Sequence, residues 1–460
     1  MPLKNMHRFH PYLTGAIAAI AAFFLLTPAA LAFCGFYVAK ADTQLYNQAS
    51  QVIIARQGDR TVLTMANDYQ GDVADFAMVV PVPTGLQAGQ VQVGEAAIVQ
   101  RLDDFSAPRL VEYFDPDPCE PVRYYDQALP APAAAESLER RGAGAADALG
   151  VTVEAQFAVG EYDIVILSAA EARGLETWLR QNGYQIPQGA SELLHPYVRQ
   201  GLNFFVAKVN LTEFDRSGFQ KLRPLQIAYE SPRFMLPIRL GMMNAQRAQD
   251  LVVYLLSPDG QVELTNYRTV KIPSEVNVPT FVEAQVGEFY QAMFDRSHYR
   301  ENREVAFLEY AWSMAGCDPC SAEPLTAEEL RQAGVFWVPP DASPWASNVF
   351  ITRLHVRYAR DKFPEDLVFQ QTNNQAFFQG RYVMQHPFLG TAQCEAATSY
   401  WRSLPPRFEQ EAQTLARLTG WDINDIRRQL PTVPLPSPDG VRPWWEDLWQ
   451  RSERWLGGAA

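Results

Sequence analysis

The sequence predicts an α+β fold: an antiparallel-rich β body with a helical insertion, followed by a helix-rich C-terminal half. Three observations carry this. Between Gln51 and Pro83, apolar runs alternate with turn signals at Gly58-Asp59 and Gly71-Asp72, the pattern of antiparallel strands joined by tight turns. Strand-like runs then recur to about residue 280, interrupted once, over 170–200, by apolar residues at helical spacing. Beyond Phe281 most segments carry helical spacing and cap signals.

The chain opens with a signal peptide over 1–32. Lys4, His7, Arg8 and His10 form a basic head, and an apolar run covers Leu13 to Leu26. Pro28 then breaks the helix, with Ala30 and Ala32 where a signal peptidase reads. The apolar run is shorter than the roughly 20 residues that span a bilayer, so cleavage after Ala32 is favoured over retention as an anchor. Lipidation at Cys34 needs a small residue before the cysteine, and Phe33 is large. The mature protein is expected to be exported, periplasmic or secreted. Its membrane contact is limited to the N-terminal segment if that segment stays uncleaved.

The β region runs from 33 to 280. It contains an Ala-rich loop at 127–150, whose nine alanines, two prolines and three glycines follow no period. "YDIVILSA" (162–169) reads as a strand. Leu175, Trp178 and Leu179 sit at helical spacing in the next segment, with Asn182-Gly183 as its cap, and "SELLHPYVRQG" gives a second short helix. "LNFFVAKVNL", "LQIAYES", "RFMLPIRLGM" and the run from Asp250 to Ile272 follow as strands, the last folded at Ser257-Pro258-Asp259-Gly260.

The α+β region, 281–430, starts with "NREVAFLEYAWSMAG", where Val305, Leu308, Ala311 and Trp312 share a helical face. Thr326 and Glu329 form a capping box for a helix ended by Gly334. "VFITRLHVRYA" alternates: Thr352, Leu354, Val356 and Tyr358 on one side, and Ile351, Arg353, His355 and Arg357 on the other, a half-buried strand with the arginine face toward solvent. "LPPRFEQEAQTLARLTG" and "DINDIRRQL" are helices. A Pro-rich linker (431–443) leads to a Trp-rich C-terminal helix (444–460) with Trp445, Leu448 and Trp449 on one face.

Without its signal the chain has 37 basic and 52 acidic residues, a net charge of −15. Such a chain repels nucleic acid, and no basic patch offsets this. Its cysteines are Cys34, Cys119, Cys317, Cys320 and Cys394, an odd number in an oxidising compartment. The stretch "CDPC" admits three chemistries. A thioredoxin-type centre needs a strand before the first cysteine, whereas the preceding segment reads as a helix, and Asp318 opposes a thiolate. Zinc needs two more ligands, and neither Cys394 nor any histidine stands at finger spacing. A structural disulfide remains: Cys317 with Cys320, or one of them with Cys394, with Cys34–Cys119 as a second bridge.

No catalytic signature is present: no G-x-S-x-G, S-x-x-K, P-loop, H-E-x-x-H or G-x-G-x-x-G. Asp115, Asp117 and Glu120 alternate with prolines where a calcium loop needs glycine. The pocket candidates are therefore His355, Arg353, Arg357 and His386, and neither cofactor nor metal is expected.

Several stretches carry a resemblance: "ANDYQGDVADFAMVVPVP", "NYRTVKIP", "AWSMAGCDPCSAEPLTAEELRQAGVFW", "TRLHVRYARDKFPEDLVFQQT", "FQGRYVMQHPF" and "LTGWD". Over nearly the whole mature chain it resembles the bacterial exported family called domain of unknown function 2330. The resemblance implies export, a cysteine near the mature N-terminus and the CDPC stretch, although this chain has few cysteines around Cys34. It implies no activity. The expectation is a non-enzymatic binding or scaffold protein with an envelope component as partner. The alternative is an envelope enzyme, thiol-redox or hydrolytic, using Cys317/Cys320 or His355 with Asp361 and Glu365.

Overall fold

The computed structural model describes residues 36–39, 46–47, 50–66, 69–70, 76–120, 151–182, 190–218, 222–243, 248–317 and 322–431. The signal peptide, Cys34, the Gly71-Asp72 turn, the Ala-rich loop, Gly183, Cys320, the Pro-rich linker past Pro431 and the Trp-rich helix lie outside these residues.

The largest sheet has nine strands. They are β1 (Ser50–Gln57), β2 (Arg60–Ala66), β3 (Val91–Val93), β4 (Leu225–Glu230), β5 (Gln249–Ser257), β6 (Arg268–Lys271), β7 (Val305–Ser313), β8 (Phe350–Tyr358) and β9 (Phe378–Gln379). The spatial order is β6-β7-β8-β5-β1-β2-β4-β3, with β9 also against β7. The β5–β1 and β6–β7 pairs are parallel and the others antiparallel. The sheet draws strands from both sides of residue 280. Gly58, at φ 58°, makes the tight β1–β2 turn that the sequence signals.

A second, five-stranded sheet is antiparallel throughout, in the order Phe36–Ala39, Phe76–Val82, Asn203–Val209, Tyr162–Ala169, Val151–Val159. Its Met78, Val80, Ile164 and Phe205 pack against Val52, Leu63, Val253 and Leu354 of the large sheet. Both sheets are covered on their outer faces, which explains why central strands such as β5 read as unbroken apolar runs.

Eight α-helices occur among the described residues: α1 (Ala96–Ser106), α2 (Ala172–Gln181), α3 (Ala190–Arg199), α4 (Leu211–Ser217), α5 (Val286–Arg300), α6 (Ala327–Gln332), α7 (Glu395–Thr419) and α8 (Ile423–Gln429). Helices α2 and α3 cover the five-stranded sheet, burying Leu175, Leu179 and Leu194. On the outer face of the large sheet, α1 and α6 share one apolar cluster, while α5, α7 and α8 share another. The Thr326–Glu329 capping box starts α6.

The helix-rich C-terminal half is not found. Among the described residues only α7 and α8 follow Cys394, and between residues 301 and 394 the chain contributes five strands against a single α-helix, α6. The segment carrying Val305, Leu308, Ala311 and Trp312 is not a helix but β7, a strand deep in the large sheet. A strand buried on both faces is apolar at every position, so its spacing also satisfies a helical template. The Val, Phe, Tyr and Trp content favours extended chain, and that preference prevails once β6, β8 and β9 supply ladder partners.

Candidate functional site

Strand β8 alternates as the sequence predicts. Leu354, Val356 and Tyr358 enter the core between the sheets, and Arg353, His355 and Arg357 emerge on the other face. That face is largely covered, with Arg353 buried and His355 and Arg357 half-buried. It lies at the seam between the two apolar clusters, with α1 on one side and α5 on the other.

Opposite β8, the β7 ladder slips by one residue: Leu308 pairs with Leu354 and Tyr310 with Arg353, leaving Glu309 as the bulged residue. A bulge re-aims a side chain, and here it delivers a carboxylate, fully buried, between Arg353 and His355. Arg353 Nε donates to Glu309 Oε2 at 2.6 Å. His355 Nδ1 lies 2.8 Å from Glu309 Oε1, which also accepts from the Tyr290 hydroxyl of α5.

The network extends both ways. His355 Nε2 lies 3.1 Å from Asp250 Oδ1 on β5. Arg357 grips Asp250 with two bonds, Nε to Oδ1 at 2.7 Å and Nη2 to Oδ2 at 2.9 Å, and also reaches Asp295 on α5. Arg353 Nη1 donates to Asp103 Oδ1 on α1 at 2.6 Å, which also accepts from the Tyr254 hydroxyl at 2.8 Å. Three cationic side chains thus meet four carboxylates.

The surroundings fix the charges. Burial pushes the Glu309 carboxyl up, but Arg353, then His355, outweigh it and hold it at about 2. Burial pulls the His355 imidazole down, but Glu309 and the Asp250 hydrogen bond overcome this and raise it to about 8. Asp250 is held well below the carboxylate range: burial opposes ionisation, and hydrogen bonds from His355 and Arg357 prevail. Burial, then the Glu309 charge, pushes the Tyr290 phenol up, which keeps it a donor. His355 is therefore an imidazolium at neutral pH, with both ring nitrogens donating and its ring stacked on Phe294 at 3.9 Å. It has no lone pair to accept a substrate proton.

The other predicted residues lie elsewhere. His386 stacks on Phe114 at 4.6 Å, with Nε2 3.3 Å from Glu112. Glu365 faces Asn266, and its amide donates to the Tyr267 hydroxyl, so His355 takes Glu309 and Asp250 as partners in place of Asp361 and Glu365. Asp115 accepts from Gln385, Tyr400 and Arg407, and Asp117 caps the Cys119 amide at 2.8 Å. Among the described residues no group of three or more His, Cys, Asp or Glu could hold a metal ion.

The cysteines also rearrange. Cys119 is bonded to Cys394, with Cα atoms 5.8 Å apart, which replaces both the Cys34–Cys119 bridge and the bridge from the CDPC turn to Cys394. Cys394 is the N-cap residue of α7, so the bridge ties that helix to the segment after the strand Arg109–Phe114. Cys317 is also disulfide-bonded. It follows a strand, as a thioredoxin-type cysteine would, but the next described helix, α6, begins only at Ala327.

Sequence reasoning missed Glu309, Asp250, Asp103, Tyr290 and Tyr254. Glu309 had a signal: a lone carboxylate inside "VAFLEYAW" must be paired if that run is buried. The other four come from distant segments, and no local pattern joins them.

At the opposite end of the large sheet, a cleft of about 860 Å³ lies between β4, the loop at Pro83–Gln90 and the turn at Gln200–Gly201, with Arg60 and Arg233 on its walls. A family model described as "uncharacterized protein conserved in bacteria (DUF2330)" matches residues 28–370, so residues 371–460 fall beyond it. No curated protein and no solved structure matches the chain.

Proposed function

The chain belongs to that bacterial family, and we propose that it is an exported envelope protein that binds a partner and performs no reaction on it. The observation that carries this reading is the closure of the network around His355. The imidazolium, both arginines and Glu309 are committed to one another, and the stacked Phe294 ring covers the imidazole. A general base or nucleophile needs a free lone pair beside room for substrate, and His355 offers none. The cleft beside β4 has the open character of a recognition site, with polar groups and bare backbone on its walls. Export is supported by the basic head, apolar run and Ala30/Ala32 site of the first 32 residues.

Two measurements test the proposal. N-terminal sequencing of material recovered outside the cytoplasm is expected to begin at Phe33; an N-terminus at Met1, or one blocked by lipid at Cys34, overturns the export part. Native protein purified from the envelope is expected to carry a partner that rebinds equally well to the His355→Gln variant. An activity on that partner, abolished by His355→Gln at a temperature where the variant is folded, would replace binding with catalysis.

A further inference from the structure

We infer that the cleft beside β4 receives an extended, acidic peptide segment as an added strand. This rests on the binding reading above and names the class of ligand. Strand β4 is second from the end of its sheet, and the edge strand β3 covers only part of it: the β3–β4 register stops at Ile227, opposite Val91. Before Val91 the chain leaves the edge through the 3-10 turn Ala88–Gln90. Among the described residues, Ala228 to Glu230 therefore continue without a neighbouring strand on that side.

Three hydrogen bonds fix which way the backbone points. Pro224 C=O accepts from the Gly94 amide at 2.7 Å, and Ala228 C=O accepts from Gln90 Nε2 at 2.9 Å, so these even-numbered residues face the β3 side. Ser231 N–H donates to Asp59 C=O at 2.9 Å, toward the β1–β2 turn. With a period of two, Glu230 N–H and C=O point outward into the cleft. Gln90 already completes this edge with a side-chain amide where a strand would supply a backbone amide. An incoming peptide would continue the line of β3.

The walls suit a backbone ligand. A Cβ built on Gly89 or Gly201 would meet nothing within 4 Å, so a strand can approach closely there. The charge selects the side chains. Arg60 holds its guanidinium over the Phe336 ring at 4.4 Å, and Arg233 donates to Gln200 C=O at 3.1 Å. Neither has a carboxylate partner among the described residues, and Glu230 is the one acidic residue lining the cleft. On a chain whose net charge without its signal is −15, two arginines that lack a carboxylate partner among the described residues form a local site for carboxylates at an open strand edge. Backbone bonds would supply affinity, and alternate side chains specificity, as in strand addition to other sheet edges.

The test uses the mature protein and three probes: a blocked peptide alternating valine and glutamate, its valine–lysine counterpart, and succinate. Calorimetry gives affinity, and hydrogen exchange over 225–233 reports the edge. The glutamate peptide is expected to bind and to protect that segment, and the lysine peptide to bind at least tenfold more weakly. Arg60→Glu with Arg233→Glu should weaken the glutamate peptide at least tenfold. Glu230→Pro, which removes the outward N–H at an edge that tolerates proline, should do the same. Glu230→Gln keeps the backbone donor and serves as the folding-matched control; it should bind as well or better. No peptide binding, or binding indifferent to Glu230→Pro, overturns the inference. If succinate binds through the arginines while the peptide does not, strand addition fails and a small-anion binding protein remains.

Discussion

Replacing Arg353 by methionine removes the cation nearest to Glu309, together with the guanidinium over the Tyr254 ring, while keeping an unbranched stem as far as the position of Nε. Glu309 would be left buried with His355 and Tyr290 alone, and Asp103 would lose its cation. Two routes give the size of the loss. The fall of the Glu309 carboxyl from 4.5 to about 2 corresponds to about 3 kcal/mol of interaction with its surroundings, Arg353 being the leading favourable one. Breaking a buried ion pair by deleting one partner costs roughly 3–5 kcal/mol. The expected loss is therefore about 3 kcal/mol near pH 7, read from the urea midpoint. The sign with pH follows from the depressed carboxyl: its contribution is present above pH 4.5 and is lost as pH falls through about 2. The gap between wild type and variant should narrow across that window. Glu309→Gln combined with Arg353→Met should cost less than the two separate losses added together, because each single change strands the other group. A loss below about 1 kcal/mol at pH 7, a gap independent of pH, or strict additivity would refute the reasoning.

Two further expectations follow. His355 is raised from 6.5 to about 8, so its contribution, about 2 kcal/mol, is complete below pH 6.5 and disappears as pH rises through about 8; wild-type thermal midpoints should fall across that interval, and those of His355→Gln should not. The Cys119–Cys394 bridge closes a loop with a sequence separation of 275, for which chain entropy sets a ceiling of roughly 5 kcal/mol; the Cys119→Ser/Cys394→Ser variant should lose several degrees of thermal stability, and an unchanged midpoint would show that α7 is held without it.

The sequence was legible where local rules decide. The β1–β2 turn, the α6 capping box and the alternation of β8 each rest on a few adjacent residues whose chemistry has one reading. Strand β7 was not legible, because burial on both faces erases the period that tells strand from helix. That misreading also reversed the setting of Cys317, which follows a strand. The arginine face of β8 was read correctly as a face and wrongly as solvent-exposed. What covers it, α1 and α5, lies well upstream in the chain, and no feature of "ITRLHVRY" announces the cover. Of the cysteine pairs, Cys119–Cys394 depends wholly on the fold that brings residues 275 apart together.

The network also bears on why buried charge is tolerated here. Well-packed apolar residues in its place would often be as stable or more so, so stability alone does not explain it. Its geometry offers a different account. The apolar undersides of α1 and α5 could slide along the sheet with little loss, since greasy contacts are non-directional. Asp103 ties α1 to Arg353, whereas Tyr290 and Asp295 tie α5 to Glu309 and Arg357, each through directional bonds to β7 or β8. A shift of either helix by one turn would strand a buried charge. The network therefore acts as a register lock on that face of the sheet, and the bulge at Glu309 is its keystone. A sheet locked in this way changes little when a ligand arrives at its far edge, and a preformed edge loses less ordering entropy on binding than a mobile one. On this view the charges lie remote from the cleft because their role is to hold the platform rigid, and loosening them by Arg353→Met should weaken peptide binding at β4 by more than the fraction of molecules that unfold, through the ordering entropy a looser edge must lose.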